Sequence, residues 1–212
     1  MQITPAILTN DLILFKGLLP KLSFAETLDI DIIRPPFVNN STISIEDVKD
    51  ILDFDNQCIG FHLMVDNPKE DLINLFNWGF ENKYIRIYLH QESDLSFLSE
   101  FKWPLTWIKG VAVKLETDLR DLNFYNQYDE VQLMSIVTGV QGNPFNATIK
   151  NRVNTLRNLG FTKDISLDGG INLGTLSQLK DLDINRISVG SYFQKSKNPK
   201  ESYRMMEEEL NK

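Results

Sequence analysis

The feature that most restricts the fold of this 212-residue chain is an unbroken alternation of two periodicities. Short apolar runs of strand length occur at 2–8, 28–33, 58–64, 84–89, 107–114, 130–136, 164–168 and 186–189. Between them lie segments with helix-start signals or helical spacing. Asn10 or Asp11 precedes 12–21, Ser44-Ile45-Glu46-Asp47 opens a helix reaching 52, and Asn67-Pro68 opens a third. Asp94 precedes 95–101, Thr117 caps a short helix, and 146–159, 173–179 and 199–210 complete the set. Strand-then-helix repetition demands parallel strands with helices outside, because a parallel pair needs a crossover connection. Eight units favour closing the sheet into an α/β (β/α)8 TIM barrel over an open doubly wound sheet. No composition break marks a linker, so residues 1–212 read as a single barrel domain.

Charge and composition narrow the function. A net charge of −7 argues against a nucleic-acid surface or an anionic membrane as partner. No apolar run approaches the roughly 20 residues of a spanning helix. The start, Met1-Gln2-Ile3-Thr4-Pro5, has no basic region followed by an apolar core, and the single cysteine, Cys58, has no partner for an internal disulfide. Both predict a cytoplasmic protein with a buried thiol.

The polar residues that do not fit a plain core collect where strands end. They are Asp29 and Asp31 on the second strand, His62 on the third, His90 after the fourth, Lys114 on the fifth and Asp168 on the seventh. In a (β/α)8 barrel, the C-terminal ends of the strands line the active site. Asp29, Asp31, His62 and Asp168 together are costly to bury without compensation, and a divalent cation is one natural compensation; solvation in an open mouth is the other. Ser166-Leu167-Asp168-Gly169-Gly170-Ile171-Asn172 and Ile187-Ser188-Val189-Gly190-Ser191 each end a strand in small residues. Such turns let backbone N–H groups approach an anion, and the loops after strands seven and eight often hold phosphate.

Seven motifs in register resemble the ribulose-phosphate 3-epimerase family. They are Pro5-Ala6-Ile7-Leu8-Thr9, Asp29-Ile30-Asp31 leading to Phe37-Val38, Phe61-His62-Leu63-Met64-Val65, Leu133-Met134-Ser135-Ile136, the loop 139–145, Leu167-Asp168-Gly169-Gly170-Ile171 and Val189-Gly190-Ser191. The resemblance implies a cytoplasmic barrel of the ribulose-phosphate-binding type that inverts C3 of a ketose phosphate of the ribulose 5-phosphate/xylulose 5-phosphate kind. It implies one divalent metal (zinc, manganese, iron or magnesium) held by Asp29, Asp31, His62 and Asp168. Asp31 and Asp168 match the catalytic acid–base pair, which works through a 2,3-enediolate. Gly142, Gly169, Gly170, Gly190 and Ser191 match phosphate-binding positions, and Thr9, Met64 and Met134 line the substrate pocket. The implied partner is a phosphorylated sugar, and the implied assembly a homo-oligomer.

The chain departs from the family pattern in one place above all. The pattern His-x-Asp-x-Met-Asp-Gly here reads Asp29-Ile30-Asp31-Ile32-Ile33-Arg34-Pro35. An aspartate in place of a ligand histidine leaves two outcomes: a harder donor set that moves preference from zinc towards manganese or magnesium, or loss of the metal. The rival functions are an epimerase for a longer ketose phosphate such as allulose 6-phosphate, and a lapsed barrel that binds a sugar phosphate as a sensor or partner protein. A phosphate-binding decarboxylase is disfavoured, because Lys114 has Ala112, not an acid, two residues before it.

Overall fold

The computed structural model describes residues 1–52, 55–138 and 143–212. Eight parallel strands run in order around a closed barrel: β1 Gln2–Ile7, β2 Thr27–Ile33, β3 Cys58–Met64, β4 Ile85–His90, β5 Trp107–Val113, β6 Glu130–Met134, β7 Asp164–Asp168 and β8 Arg186–Val189. The β1–β8 pairing, with Gln2 opposite Arg186 and Thr4 opposite Ser188, closes it. The helices are α1 Leu12–Leu22, α2 Ile45–Val48, α3 Lys69–Asn77, α4 Leu122–Asn126, α5 Ile149–Asn158, α6 Ser191–Gln194 and α7 Pro199–Leu210.

Local chemistry explains where these helices start. The Asp11 carboxylate accepts from the backbone N–H groups of Ile13 and Leu14, capping α1. Ser44 and Asp47 form a reciprocal capping box on α2. That helix stops at Val48, short of the expected 52, so the box starts a single turn. Two further expectations need correction. The helix after β5 is capped by Asp121, not Thr117, whose backbone N–H closes a turn onto the Lys114 carbonyl. The segments after β4 and β7 form only 3-10 turns, Ser96–Ser99 and Leu176–Gln178. Both are too short to gain from helix propagation.

The strands alternate, and the alternation sorts the interior. Leu28, Ile30 and Ile32, with Ile59, Phe61 and Leu63, face the helices and are fully buried in the apolar layer between sheet and helices. The opposite face of the same strands carries Asp29, Asp31 and His62 into the barrel, since side chains two apart share a face. Among the described residues no helix is long and apolar enough to cross a membrane.

Candidate active site

Two polar groups occupy the barrel, at different depths. The lower one draws one residue from each even strand: Asp29, Tyr88, Glu130 and Arg186. Arg186 donates from Nη1 to Asp29 Oδ2 at 2.7 Å, from Nε to Glu130 Oε1 at 3.1 Å, and from Nη2 to the Tyr88 hydroxyl. The Tyr88 hydroxyl donates in turn to Glu130 Oε2 at 2.9 Å. All four are buried. Burial disfavours the Arg186 cation, but the charges of Asp29 and Glu130 outweigh it and hold the guanidinium above its usual pKa. Gly60 makes this possible, because a Cβ there would stand 2.1 Å from Asp29 Oδ1.

The structure does not bring Asp29, expected as a metal ligand, into the donor cluster of Asp31, His62 and Asp168. Asp29 and Asp31 do share a face of β2. Arg186 claims the Asp29 carboxylate and holds it below that cluster. Arg186 was the signal in the sequence: an arginine opening an otherwise apolar strand needs a buried acid.

The upper group lies at the C-terminal mouth. His62 Nδ1 stands 3.1 Å from Asp31 Oδ1 and 3.3 Å from Asp168 Oδ2. Donor atoms of Asp31, His62 and Asp168 all lie within 4.8 Å of one another. Burial lifts the Asp31 carboxyl to about 6, with His62 opposing and the Asp168 charge adding to the rise. Burial works against the His62 cation, but the hydrogen bonds and charges of Asp168 and Asp31 prevail and raise its pKa to about 10. Two hard carboxylates and one imidazole converging on one small volume fit a divalent cation.

Hydroxyl groups from neighbouring segments hold the backbone that carries these side chains. The Thr42 hydroxyl donates to the Asp31 carbonyl at 2.7 Å and accepts from the Ile33 N–H at 2.9 Å, fastening the end of β2. The Ser135 hydroxyl donates to the Asp168 carbonyl at 3.0 Å and to the Gly169 carbonyl at 2.5 Å, fixing the turn after β7. Gly169 and Gly170 have φ of 111° and 68°, conformations that favour glycine. A Cβ on Gly170 would come within 2.6 Å of the Phe145 nitrogen. Gly190 and Ser191 lie at the start of α6, two and three residues past Ser188, which pairs with Asp168. Gly142 lies outside the described residues.

The remaining expected pocket residues are all buried. Met64 packs with Ile33 and Phe37 in a small apolar cluster at the mouth, and Met134 lies beside Asp168 in the sheet register. The Thr9 hydroxyl accepts from the Asp11 N–H at 3.0 Å, so it braces the β1–α1 loop. Arg34, which departs from the family turn, forms a two-pronged ion pair with Asp71 of α3 at 2.8 and 2.6 Å. Lys114 Nζ lies 3.6 Å from the Phe37 ring centroid and donates to the Phe37 carbonyl at 3.2 Å.

Fold and site together define a TIM-barrel enzyme with an acid–imidazole–acid cluster at the catalytic face. The ribulose-phosphate 3 epimerase family model matches residues 2–194. Ribulose-phosphate 3-epimerase of Mycobacterium leprae is 25% identical over 197 residues, covering 89% of this chain and 86% of that one. The cytoplasmic isoform from Oryza sativa subsp. japonica is 24% identical over 171 residues, covering 79% and 75%. Among solved structures, KGPDC from Streptococcus mutans superposes with a TM-score of 0.68 at 14% identity, covering 99% of this chain and 97% of that one. The chain belongs to the ribulose-phosphate 3-epimerase family and is a divergent isomerase of the epimerase type.

Proposed function

We propose that the protein is a cytoplasmic 3-epimerase of a ketose phosphate of the ribulose 5-phosphate type, working with one divalent cation. The observation that carries this reading is the convergence of Asp31 and Asp168, from β2 and β7, on one nitrogen of His62. Inverting C3 needs two proton-transfer groups, one for each face of the carbon. One carboxylate removes the C3 proton, and the other delivers a proton to the opposite face of the 2,3-enediolate. Asp31, buried and with its pKa lifted to about 6, is poised both to take and to return a proton near neutral pH.

Asp31, His62 and Asp168 would hold the cation, without Asp29. When bound, it supplies Lewis-acid stabilisation of the charge that develops on the substrate oxygens. The two-carboxylate donor set favours manganese, iron or magnesium more than a two-histidine set would. The backbone at Gly169-Gly170 and Gly190-Ser191 would receive the phosphate. Met64 and Met134 would border the carbon chain.

The test is exchange of the C3 proton with D₂O, using ribulose 5-phosphate and then allulose 6-phosphate. Wild type should wash in deuterium at C3, and Asp168→Asn should be slower by about 10²–10⁴-fold. Tight binding of either sugar phosphate without any exchange would support the sensor reading in its place.

A further inference from the structure

His62 uses both of its ring nitrogens, and the acid–base chemistry above uses only one. Its Nε2 lies 2.9 Å from Nε2 of His90, and His90 Nδ1 lies 3.1 Å from Glu92 Oε2. The two imidazole centroids are 5.0 Å apart with planes inclined by 16°. The two rings are nearly parallel and turn their Nε2 edges towards each other. Both rings are fully buried, at 1% and 0% exposure. The other Glu92 oxygen accepts from the Lys114 N–H at 3.1 Å, and the Phe37 ring packs 4.7 Å from His90. Nothing in the epimerisation step calls for a second buried histidine and a partly buried glutamate here.

Hydrogen-bond logic assigns them a role. A contact between two imidazole nitrogens holds one proton, since two lone pairs repel and two N–H groups collide. The Glu92 carboxylate accepts only, so His90 carries its proton on Nδ1 and offers a lone pair from Nε2. His62 must then donate from Nε2, so its Nδ1, which faces Asp31 and Asp168, is the nitrogen on which a cation can replace the proton. That is the tautomer a metal-binding imidazole needs. We propose that His90 and Glu92 are positioning residues that fix the tautomer and ring plane of His62, presenting its Nδ1 to a divalent cation between Asp31 and Asp168. This rests on reading the Asp31–His62–Asp168 cluster as a cation site. The 2.9 Å contact between the two Nε2 atoms is the length of a hydrogen bond holding one proton.

The experiment measures Co²⁺ affinity and the Co²⁺ absorption spectrum of the full chain, by competition with a chelator. It compares wild type with Glu92→Gln, His90→Phe and His62→Ala. Loss of a partner behind a metal-binding histidine typically costs 10–100-fold in affinity. Glu92→Gln and His90→Phe should weaken Co²⁺ binding by that factor and shift its visible bands. Their melting temperatures in chelator report whether the fold survives, and Glu92→Gln alone decides the matter if His90→Phe does not fold. In Zn²⁺-loaded wild type, imidazole ¹⁵N shifts should report a proton on His62 Nε2. Wild-type affinity and unchanged bands in Glu92→Gln would overturn the positioning role while leaving the cation site intact. Co²⁺ binding by wild type no tighter than by His62→Ala would overturn the cation reading itself, and the positioning role with it.

Discussion

Arg186 Nη1 sits 2.7 Å from Asp29 Oδ2 in the middle of the barrel, and this contact decides what the most divergent residue of the site can do. Both groups are almost wholly buried, and Arg186 also contacts Glu130. Asp29 is thereby an internal counter-ion. Its position in the sequence is that of a ligand, but its chemistry belongs to the core.

Asp29→Asn should therefore cost stability and leave metal stoichiometry unchanged. Removing one partner of a buried ion pair costs roughly 3–5 kcal/mol, and Glu130 should keep the loss near the lower end. Chemical denaturation and metal analysis of the purified variant check both halves. A stable Asn variant with altered metal content would return Asp29 to the site.

Gly60→Ala tests the same cluster from the other side. The new Cβ would stand 2.1 Å from Asp29 Oδ1 and 3.2 Å from Cγ, and Arg186 prevents the carboxylate from yielding freely. Overpacking of this kind typically costs about 1–3 kcal/mol. Equal denaturation midpoints for Gly60→Ala and wild type would mean that the carboxylate can move.

In chelator-treated protein, His62 should make stability fall with rising pH. Its pKa of about 10 in the fold exceeds the ordinary 6.5, so the folded state binds that proton more tightly. The contribution is complete below pH 6.5 and disappears as the pH rises through about 10. The upward shift of Asp31 to about 6 acts at lower pH, so a window from about pH 7 to 10 isolates the histidine. The melting-temperature gap between wild type and His62→Gln should narrow across that window, and a constant gap contradicts the ion-paired imidazole.

Gly170→Ala should injure substrate handling more than folding. Its φ of 68° and the 2.6 Å approach to the Phe145 backbone force the turn after β7 to shift. A misplacement of about 1 Å near a bound substrate can cost on the order of 10²-fold in kcat/KM. Steady-state kinetics alongside circular dichroism separates this from unfolding, and unchanged kinetics would remove the Gly169-Gly170 turn from the phosphate site.

Much of this was readable from residue pattern alone. The eight apolar runs predict the strands to within a residue or two, because burial against an outer helical layer enforces a strict inside–outside alternation. The start of β7 at Asp164 and of β8 at Arg186 coincide with expectation. Helices were less legible: 173–179 has helical spacing, yet only Leu176–Gln178 coils, because the Asn172 and Thr175 side chains close turns on the neighbouring backbone. Asp31, His62 and Asp168 stood out because a carboxylate or imidazole among valines and leucines is conspicuous. The period of two gave Asp29 its face, but its partner Arg186 comes from β8, far away in sequence. His90 was noticed as a strand-end histidine, but its link to His62 depends on the β3–β4 register, which pairs His62 with Tyr88 and leaves His90 one step higher.

The Asp29–Arg186 pair also constrains the history of this chain. Placing a histidine at position 29 alone would strand the Arg186 cation against a neutral ring, and neutralising Arg186 alone would leave the Asp29 and Glu130 carboxylates buried without their cation. Each single step crosses a stability valley, so the two positions can change only together. A double-mutant cycle over the two positions would read that epistasis as a coupling energy. The divergence at this site therefore acts as a ratchet, locked by the protein's interior and not by its chemistry.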